Sequence, residues 1–335
     1  MYYDELNQSF DRPAAELQTV SLNDIQSKPV NWLWYPYIPL GKITILQGDP
    51  GEGKTTLALN LAAMLSRGEI FGDPKHHMHA DILYQTAEDG ISDTIKPRLE
   101  AAGASMRSIF SIIEGDTPLS VFDPRLDQAM AQIMPSLLIL DPIQAYLGAD
   151  TDMHRANEIR PIMHRLADLA ERWECAVLLI GHMNKKMGDK AIYRGLGSID
   201  LAAAARSILL MVRDNADPDV RVMVQIKNSL AKEGAPLAFR VGENSRMSYE
   251  GVYQRDISAL MLADTAGRPA KTELAKHFLR EQLANGTKPS SEVIAAAHAE
   301  GISESILANA RKALNVSSER RNGKWYLTLP DDARI

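Results

Sequence analysis

The chain has 335 residues, 45% of them hydrophobic, enough for one large α/β domain and a small one. Its net charge of −6 gives no global basic signature for nucleic acid, although a local patch or a ring-shaped pore can supply a positive field. The single cysteine, Cys175, excludes an intrachain disulfide; no apolar run reaches membrane-spanning length, and the acidic opening Met1-Tyr2-Tyr3-Asp4-Glu5 is unlike a signal peptide, so a cytoplasmic protein with no membrane partner is expected.

Residues 1–29 are polar and without sustained period, an arm that either stays loose or packs on a neighbouring subunit. Trp32, Trp34, Tyr35 and Tyr37 follow, as a packing segment or as rings that stack on a base. Lys42-Ile43-Thr44-Ile45-Leu46-Gln47 reads as a buried strand. It runs into Gly48-Asp49-Pro50-Gly51-Glu52-Gly53-Lys54-Thr55-Thr56, which fits the phosphate-binding pattern G-x-x-x-x-G-K-[ST]. Glycines let successive backbone N–H groups point into one concavity, and the N-terminus of the following helix adds to it. In that setting Lys54 reaches the β- and γ-phosphates of ATP, and Thr55 places its hydroxyl on Mg²⁺. The helix starting there ends near Gly68, a left-handed cap. Gly72-Asp73-Pro74 marks a turn. His76, His77 and His79 nearby read as surface residues more readily than as metal ligands.

A second strand, residues 81–86, leads to Glu88 and Asp89, an acidic pair at the end of a sheet strand, where ligands bind in open α/β folds. Glu88 is the candidate for polarising attacking water, whereas Asp89 or Ser92 suits a helix N-cap. A helix through Leu99 is closed by Gly103. Residues 108–114 are read as a third strand. Leu137-Leu138-Ile139-Leu140-Asp141 is a buried strand that delivers Asp141 beside the phosphate loop, where it holds Mg²⁺ directly or through water. Helical period over residues 157–171 sets Ile159, Ile162, Met163, Leu166, Leu169 and Ala170 on one face. The strand at 175–180 buries the Cys175 thiol and ends in Gly181-His182. His182 either senses the γ-phosphate or is a plain hydrogen-bonded histidine. Residues 184–197, with Lys185, Lys186, Lys190 and Arg194, form a basic loop that suits either a pore or solvent. An Ala-rich run to Arg206 precedes strands at 208–212, 220–227, 237–241 and 247–249, the last ones antiparallel.

The phosphate loop, the acidic pair, the Leu-Ile-Leu-Asp run, the Gly-His and the Ala-Ala-Arg-Ser element together resemble RecA-fold P-loop ATPases over roughly residues 30–250. They look most like the RepA-like replicative helicases of plasmids and prophages. The resemblance implies a mostly parallel sheet flanked by helices with antiparallel strands at its end. It also implies a hexameric homo-oligomer moving on single-stranded DNA with ATP and Mg²⁺. It makes Glu88 the catalytic glutamate, Asp141 the Mg²⁺ aspartate, His182 the γ-phosphate sensor and Arg206 the arginine finger offered to a neighbour. Lys227 is the second choice for that finger, since related helicases place a Lys and an Arg on the following strand and here Lys227-Asn228-Ser229 has no Arg nearby.

Residues 251–270 read as a linker. Residues 271–330 give helix, helix, turn, helix and a hairpin with Asn322-Gly323 at its tip, the pattern of a winged helix-turn-helix. Arg311, Lys312, Arg320, Arg321 and Lys324 make its basic side, so this part is expected to bind DNA or a protein partner. Three functions are compatible with these features: a ring-forming DNA motor, a DNA-binding ATPase without unwinding (a loader, recombination or partition factor), and an ATP-dependent switch acting through protein partners.

Overall fold

The computed structural model describes residues 19–75, 77–148, 151, 155–182, 199–257, 260, 271–283, 286–299, 302, 304–321 and 324–330. Most of the expected arm, His76, the basic loop at 184–197, most of the linker and the Asn322-Gly323 tip lie outside them.

A short antiparallel pair, β1 (Trp32–Trp34) and β2 (Ile38–Pro39), leads into the central strand β3 (Ile43–Gly48). Helix α1 (Lys54–Leu65) follows the phosphate loop. Strand β4 (Ile82–Thr86) comes next, then a π-helical turn over Ile91–Ile95 that runs into α2 (Lys96–Ala101). After β5 (Ile109–Phe110) come α3 (Pro124–Ile133), β6 (Leu137–Asp141), α4 (Ala156–Arg172) and β7 (Ala176–His182). Helix α5 (Ile199–Ala204) precedes β8 (Ser207–Arg213), β9 (Val220–Asn228), β10 (Leu237–Val241) and β11 (Met247–Val252).

Nine strands form one sheet in the order β11-β10-β9-β8-β3-β7-β6-β4-β5. The six from β8 to β5 run parallel, and β9, β10 and β11 continue antiparallel. Aliphatic strands buried on both faces explain the parallel part. Leu137 and Ile139 of β6 pack into the core under α1, while Leu138 and Leu140 pack into the core under α3 and α4. The period-2 alternation thus feeds two cores from one strand. The α4 face is the one its helical period specifies: Ile159, Ile162, Met163, Leu166, Leu169 and Ala170 are its buried residues. Trp34, Tyr37, Phe71, Phe239 and Tyr249 form a chain of ring contacts within the α1-side core, so these rings serve packing. Tyr35 remains 65% exposed beside Trp32.

Two expectations are corrected. The third strand is only the two-residue β5, paired to Ile82 and Leu83 at the sheet edge. Beyond it the chain leaves the sheet, because Arg125 Nη1 donates to the Glu114 carbonyl (2.9 Å) and the Glu114 carboxylate accepts from Leu119 N (2.9 Å), folding the segment onto the start of α3. Neither Asp89 nor Ser92 caps the next helix: Gly90 precedes the π-helical turn without a side-chain cap, and Asp89 instead pairs with Arg98 at 3.3 Å.

Toward the C-terminus, α6 (Lys271–Leu283), α7 (Ser290–Ala299) and α8 (Glu304–Ala313) pack with a three-stranded antiparallel sheet of β12 (Lys288–Pro289), β14 (Lys324–Thr328) and β13 (Ser317–Arg321). Leu279, Leu283, Val293, Leu307 and Leu327 form its own core. Among the described residues no helix is long and apolar enough to cross a membrane.

Candidate functional site

The C-terminal ends of the parallel strands converge on one edge of the sheet. Register sets Gly48 of β3 beside His182 of β7, and Thr86 of β4 beside Asp141 of β6. An open α/β sheet places ligands at this edge.

The loop from Gly48 to Gly53 is shaped by backbone constraints. A Cβ on Gly48 would stand 2.5 Å from the Met211 carbonyl oxygen of the adjacent strand, so no side chain fits there. Gly51 and Gly53 take φ of 80° and 88°, the left-handed region, which turns successive N–H groups inward ahead of α1. Lys54 Nζ donates to the carbonyls of Gly48 (2.8 Å) and Asp49 (2.9 Å), so the ammonium is held inside the loop. Burial lowers the Lys54 pKa, against the pull of Asp141, Asp49, Glu52 and Glu88.

Asp141 is 5% exposed, and its Oδ2 accepts from Thr55 Oγ1 (2.8 Å) and from the Tyr84 hydroxyl (2.7 Å). Burial raises the Asp141 pKa, while the hydrogen bonds from Tyr84 and Thr55 oppose that shift. The Ala87 amide donates to the Asp141 carbonyl (3.1 Å), which fixes the start of the acidic segment to the end of β6. Glu88 is exposed, and its charge acts on both Lys54 and Asp141. The structure thus brings together Lys54, Thr55, Asp141 and Glu88. His182 reaches the same edge through its strand, and its side chain lies outside the described residues.

Arg206 is elsewhere. Its amide donates to the Ile43 carbonyl (2.9 Å), at the opposite end of β3 from the loop. The strand between Ile43 and Gly48 spans roughly 17 Å at ~3.3 Å per residue, so Arg206 does not reach the phosphate loop of its own chain. Lys227 lies at the same far end, and its ammonium donates to the carbonyls of Ala202 (2.8 Å), Ala203 (3.3 Å) and Ala205 (2.7 Å). It closes the C-terminal end of α5.

Three residues that border the loop have no motif to announce them. Tyr84 is fully aligned with an aliphatic strand, and only its hydroxyl on Asp141 gives it a place in the site. Arg213, at the end of β8, donates to the Gly51 carbonyl (3.1 Å) and lies 3.9 Å from the Glu52 carboxylate. Asn60 of α1 donates to the carbonyls of Thr56 (2.8 Å) and Ser245 (2.9 Å) and accepts from Met247 N (2.9 Å), tying the helix behind the loop to the edge strand β11. Of the histidines near the turn, His79 Nε2 meets Ser108 Oγ at 2.8 Å, and among the described residues no group of three or more His, Cys, Asp and Glu is placed to hold a metal ion.

Thr55 and Asp141 present hard oxygen atoms a hydrogen bond apart, beside a nest of amides and an ammonium; this donor set fits a magnesium-bound nucleoside triphosphate.

The AAA_25 family model, an AAA domain, matches residues 11–188, more than half of the chain. The chain is 26% identical over 165 residues to the DNA repair protein RadA of Halalkalibacterium halodurans, covering 49% of this chain and 32% of that one. It is 26% identical over 147 residues to RadA of Chlamydia pneumoniae, covering 43% and 29%. It therefore spans about a third of the length of these relatives. The crystal structure of the KaiC-like protein PH0186 from Pyrococcus horikoshii OT3 superposes with a TM-score of 0.47 at 16% identity, covering 63% of this chain and 90% of that one. Because the AAA_25 family model covers more than half of the chain, the chain belongs to the AAA domain family.

Proposed function

We propose that this chain is an ATP-hydrolysing, ring-forming motor that acts on DNA in the cytoplasm, of the RepA-like replicative helicase kind, with residues 30–250 as its ATPase domain. The observation that carries the reading is the contact of Thr55 with Asp141 beside Lys54 and Glu88. The backbone from Gly48 through Asp49, Pro50, Gly51, Glu52 and Gly53 to Thr56 cradles the phosphates. Lys54 exchanges its two loop carbonyls for phosphate oxygens. Thr55 and Asp141 hold Mg²⁺, which when bound offsets charge on the β- and γ-phosphates. Glu88, exposed at the mouth of the site, orients the attacking water and takes its proton. His182, at the end of the strand next to the loop, reads the γ-phosphate.

Arg206 belongs to a neighbouring copy's site. Its position at the far end of the sheet supports this assignment, and the carbonyl partners of Lys227 argue against the alternative finger. Residues 271–330 are read as a winged helix: three helices, a short strand between the first two and a terminal hairpin support it. It contacts DNA or a protein partner. A second reading, a repair or recombination ATPase without processive unwinding, is favoured by the similarity to proteins named DNA repair protein RadA.

ATPase turnover with and without single-stranded DNA, together with strand displacement on a forked duplex, separates these readings. Lys54→Ala is expected to lose about 10²–10³-fold in kcat, Glu88→Gln about 10²–10⁴-fold and Arg206→Ala at least about 10³-fold. Mixing Arg206→Ala with Lys54→Ala should restore part of the activity, because one intact interface then forms between unlike copies. Hydrolysis that no DNA stimulates would remove the motor reading, and stimulation without strand displacement would favour the second.

A further inference from the structure

The C-terminal unit carries a cleft of about 600 Å³ lined by Ser290, Ser291, Ile294, Arg311, Ser318 and Trp325. That volume falls in the ~300–1,000 Å³ range of ligand sites. Trp325 is 55% exposed although its strand neighbour on the same face, Leu327, is fully buried in the core. The alternation along β14 therefore turns a large ring toward the core side of the sheet at a point where the helices no longer cover it. Arg320 stands directly across from Trp325 in the hairpin register, on the same face and exposed. Arg311, in the last turn of α8, donates from Nη2 to Ser318 Oγ (2.6 Å), and its buried Nε has no acceptor among the described residues. The nearest acidic residue of the hairpin, Glu319, lies on the other face and is paired with Arg321 at 2.6 Å. The cleft thus joins an open aromatic face, a guanidinium with an unused donor, a second exposed arginine and serine hydroxyls.

We propose that this cleft is a single-strand subsite: it takes one nucleotide of single-stranded DNA, with the base stacked on Trp325 and the adjoining phosphate on Arg311, Ser290 and Ser291. A ring and a guanidinium lining one cleft match a base and its phosphodiester, because every base has a π-face and every linkage a charge. Single-strand preference follows from stacking: within a duplex both faces of a base are already covered by its neighbours, whereas an unstacked base can lie flat on the ring. The inference rests on the reading that the chain acts on DNA, and it involves no residue of the ATP site.

The test uses the full chain without nucleotide and a fluorescein-labelled dT15 strand, read by anisotropy, with a 15-base-pair duplex alongside. Trp325→Ala is expected to weaken dT15 binding about 5–150-fold while Trp325→Phe stays within about threefold of wild type. Arg311→Gln should weaken dT15 and lower the salt slope of log K by about 0.7, one phosphate contact on a single strand. Basal ATPase of Trp325→Ala should equal wild type, and an unchanged thermal unfolding profile certifies the fold of its C-terminal unit. If that variant does not fold, loss on Arg311→Gln with the lower slope, and quenching of tryptophan emission by dT15 in wild type but less in Trp325→Phe, carry the same decision. Unchanged dT15 binding in both Trp325→Ala and Arg311→Gln overturns the subsite, as does an equal loss on the duplex. Because no nucleotide is present, a chain that proves unable to hydrolyse ATP fails the motor reading while leaving this measurement intact.

Discussion

Replacing Asn60 by Leu tests whether the phosphate-loop helix is held by the far edge of the sheet. Asn60 is 6% exposed, and its side chain makes three hydrogen bonds. The bond to Thr56 matters least, since that carbonyl is the ordinary helical acceptor four residues back. The Met247 amide belongs to a buried residue and would be left without a partner, at about 1–3 kcal/mol. The Ser245 carbonyl, in a half-exposed residue, can turn to water and adds about 0.5–1 kcal/mol. Leu has the same branched arrangement of side-chain heavy atoms as Asn and is somewhat bulkier, so no cavity term enters. The sum is about 1.5–4 kcal/mol, which corresponds to a fall in Tm of about 3–16 °C for a domain of this size. Urea unfolding of the nucleotide-free protein followed by tryptophan fluorescence measures it. A loss under about 0.5 kcal/mol would refute the view that Asn60 is a structural clamp.

Two further outcomes follow from side chains that the fold has committed. Lys227→Met should cost about 1–2 kcal/mol by leaving the carbonyls at the end of α5 without their cation, yet change ATP turnover by no more than a few-fold; a loss of 10³-fold at unchanged stability would make Lys227 the trans-acting group instead. Burial pushes the Cys175 thiol up to about 12, so iodoacetamide at pH 8 should leave the native protein unmodified for hours and label it fully in 6 M guanidinium chloride. The same shift sets a sign. The folded pKa lies above the ordinary thiol value of about 8.5, so this contribution to stability is complete below that pH and is lost as pH rises toward 12. Urea midpoints between pH 8 and 11 should therefore fall more steeply for the wild type than for Cys175→Ala.

Local pattern made much of this protein legible in its sequence. The phosphate loop, the buried run ending in Asp141 and the six-residue face of α4 are each written in consecutive or helically spaced residues, and each sits where the pattern puts it. What the pattern could not carry was partnership across the chain. Tyr84 and Asp141 are 57 residues apart, Arg213 and Gly51 are 162 apart, and Asn60 and Ser245 are 185 apart. Only the order of strands in the sheet makes them neighbours. The third strand is shorter than its composition predicts for a related reason. Residues 108–114 have strand composition, but an edge position supplies one neighbour instead of two, and Glu114 with Arg125 pulls the segment away after Phe110. Asp89 reads as a cap from its place in sequence, whereas Arg98 one helix further on takes its carboxylate.

The Asn60 contacts also order events during synthesis. The helix behind the phosphate loop leaves the ribosome about 185 residues before the backbone at Ser245 and Met247 that holds it. Until then α1 has its own turns and the cores on the parallel strands, but nothing on the side that β11 will occupy. A nascent chain stopped short of Ser245 therefore has every residue of the phosphate loop and lacks the brace that fixes its helix. Long-range closure of this kind is slow relative to local helix formation. The phosphate loop, written early in the chain, gains this brace only once Ser245 and Met247 have been made.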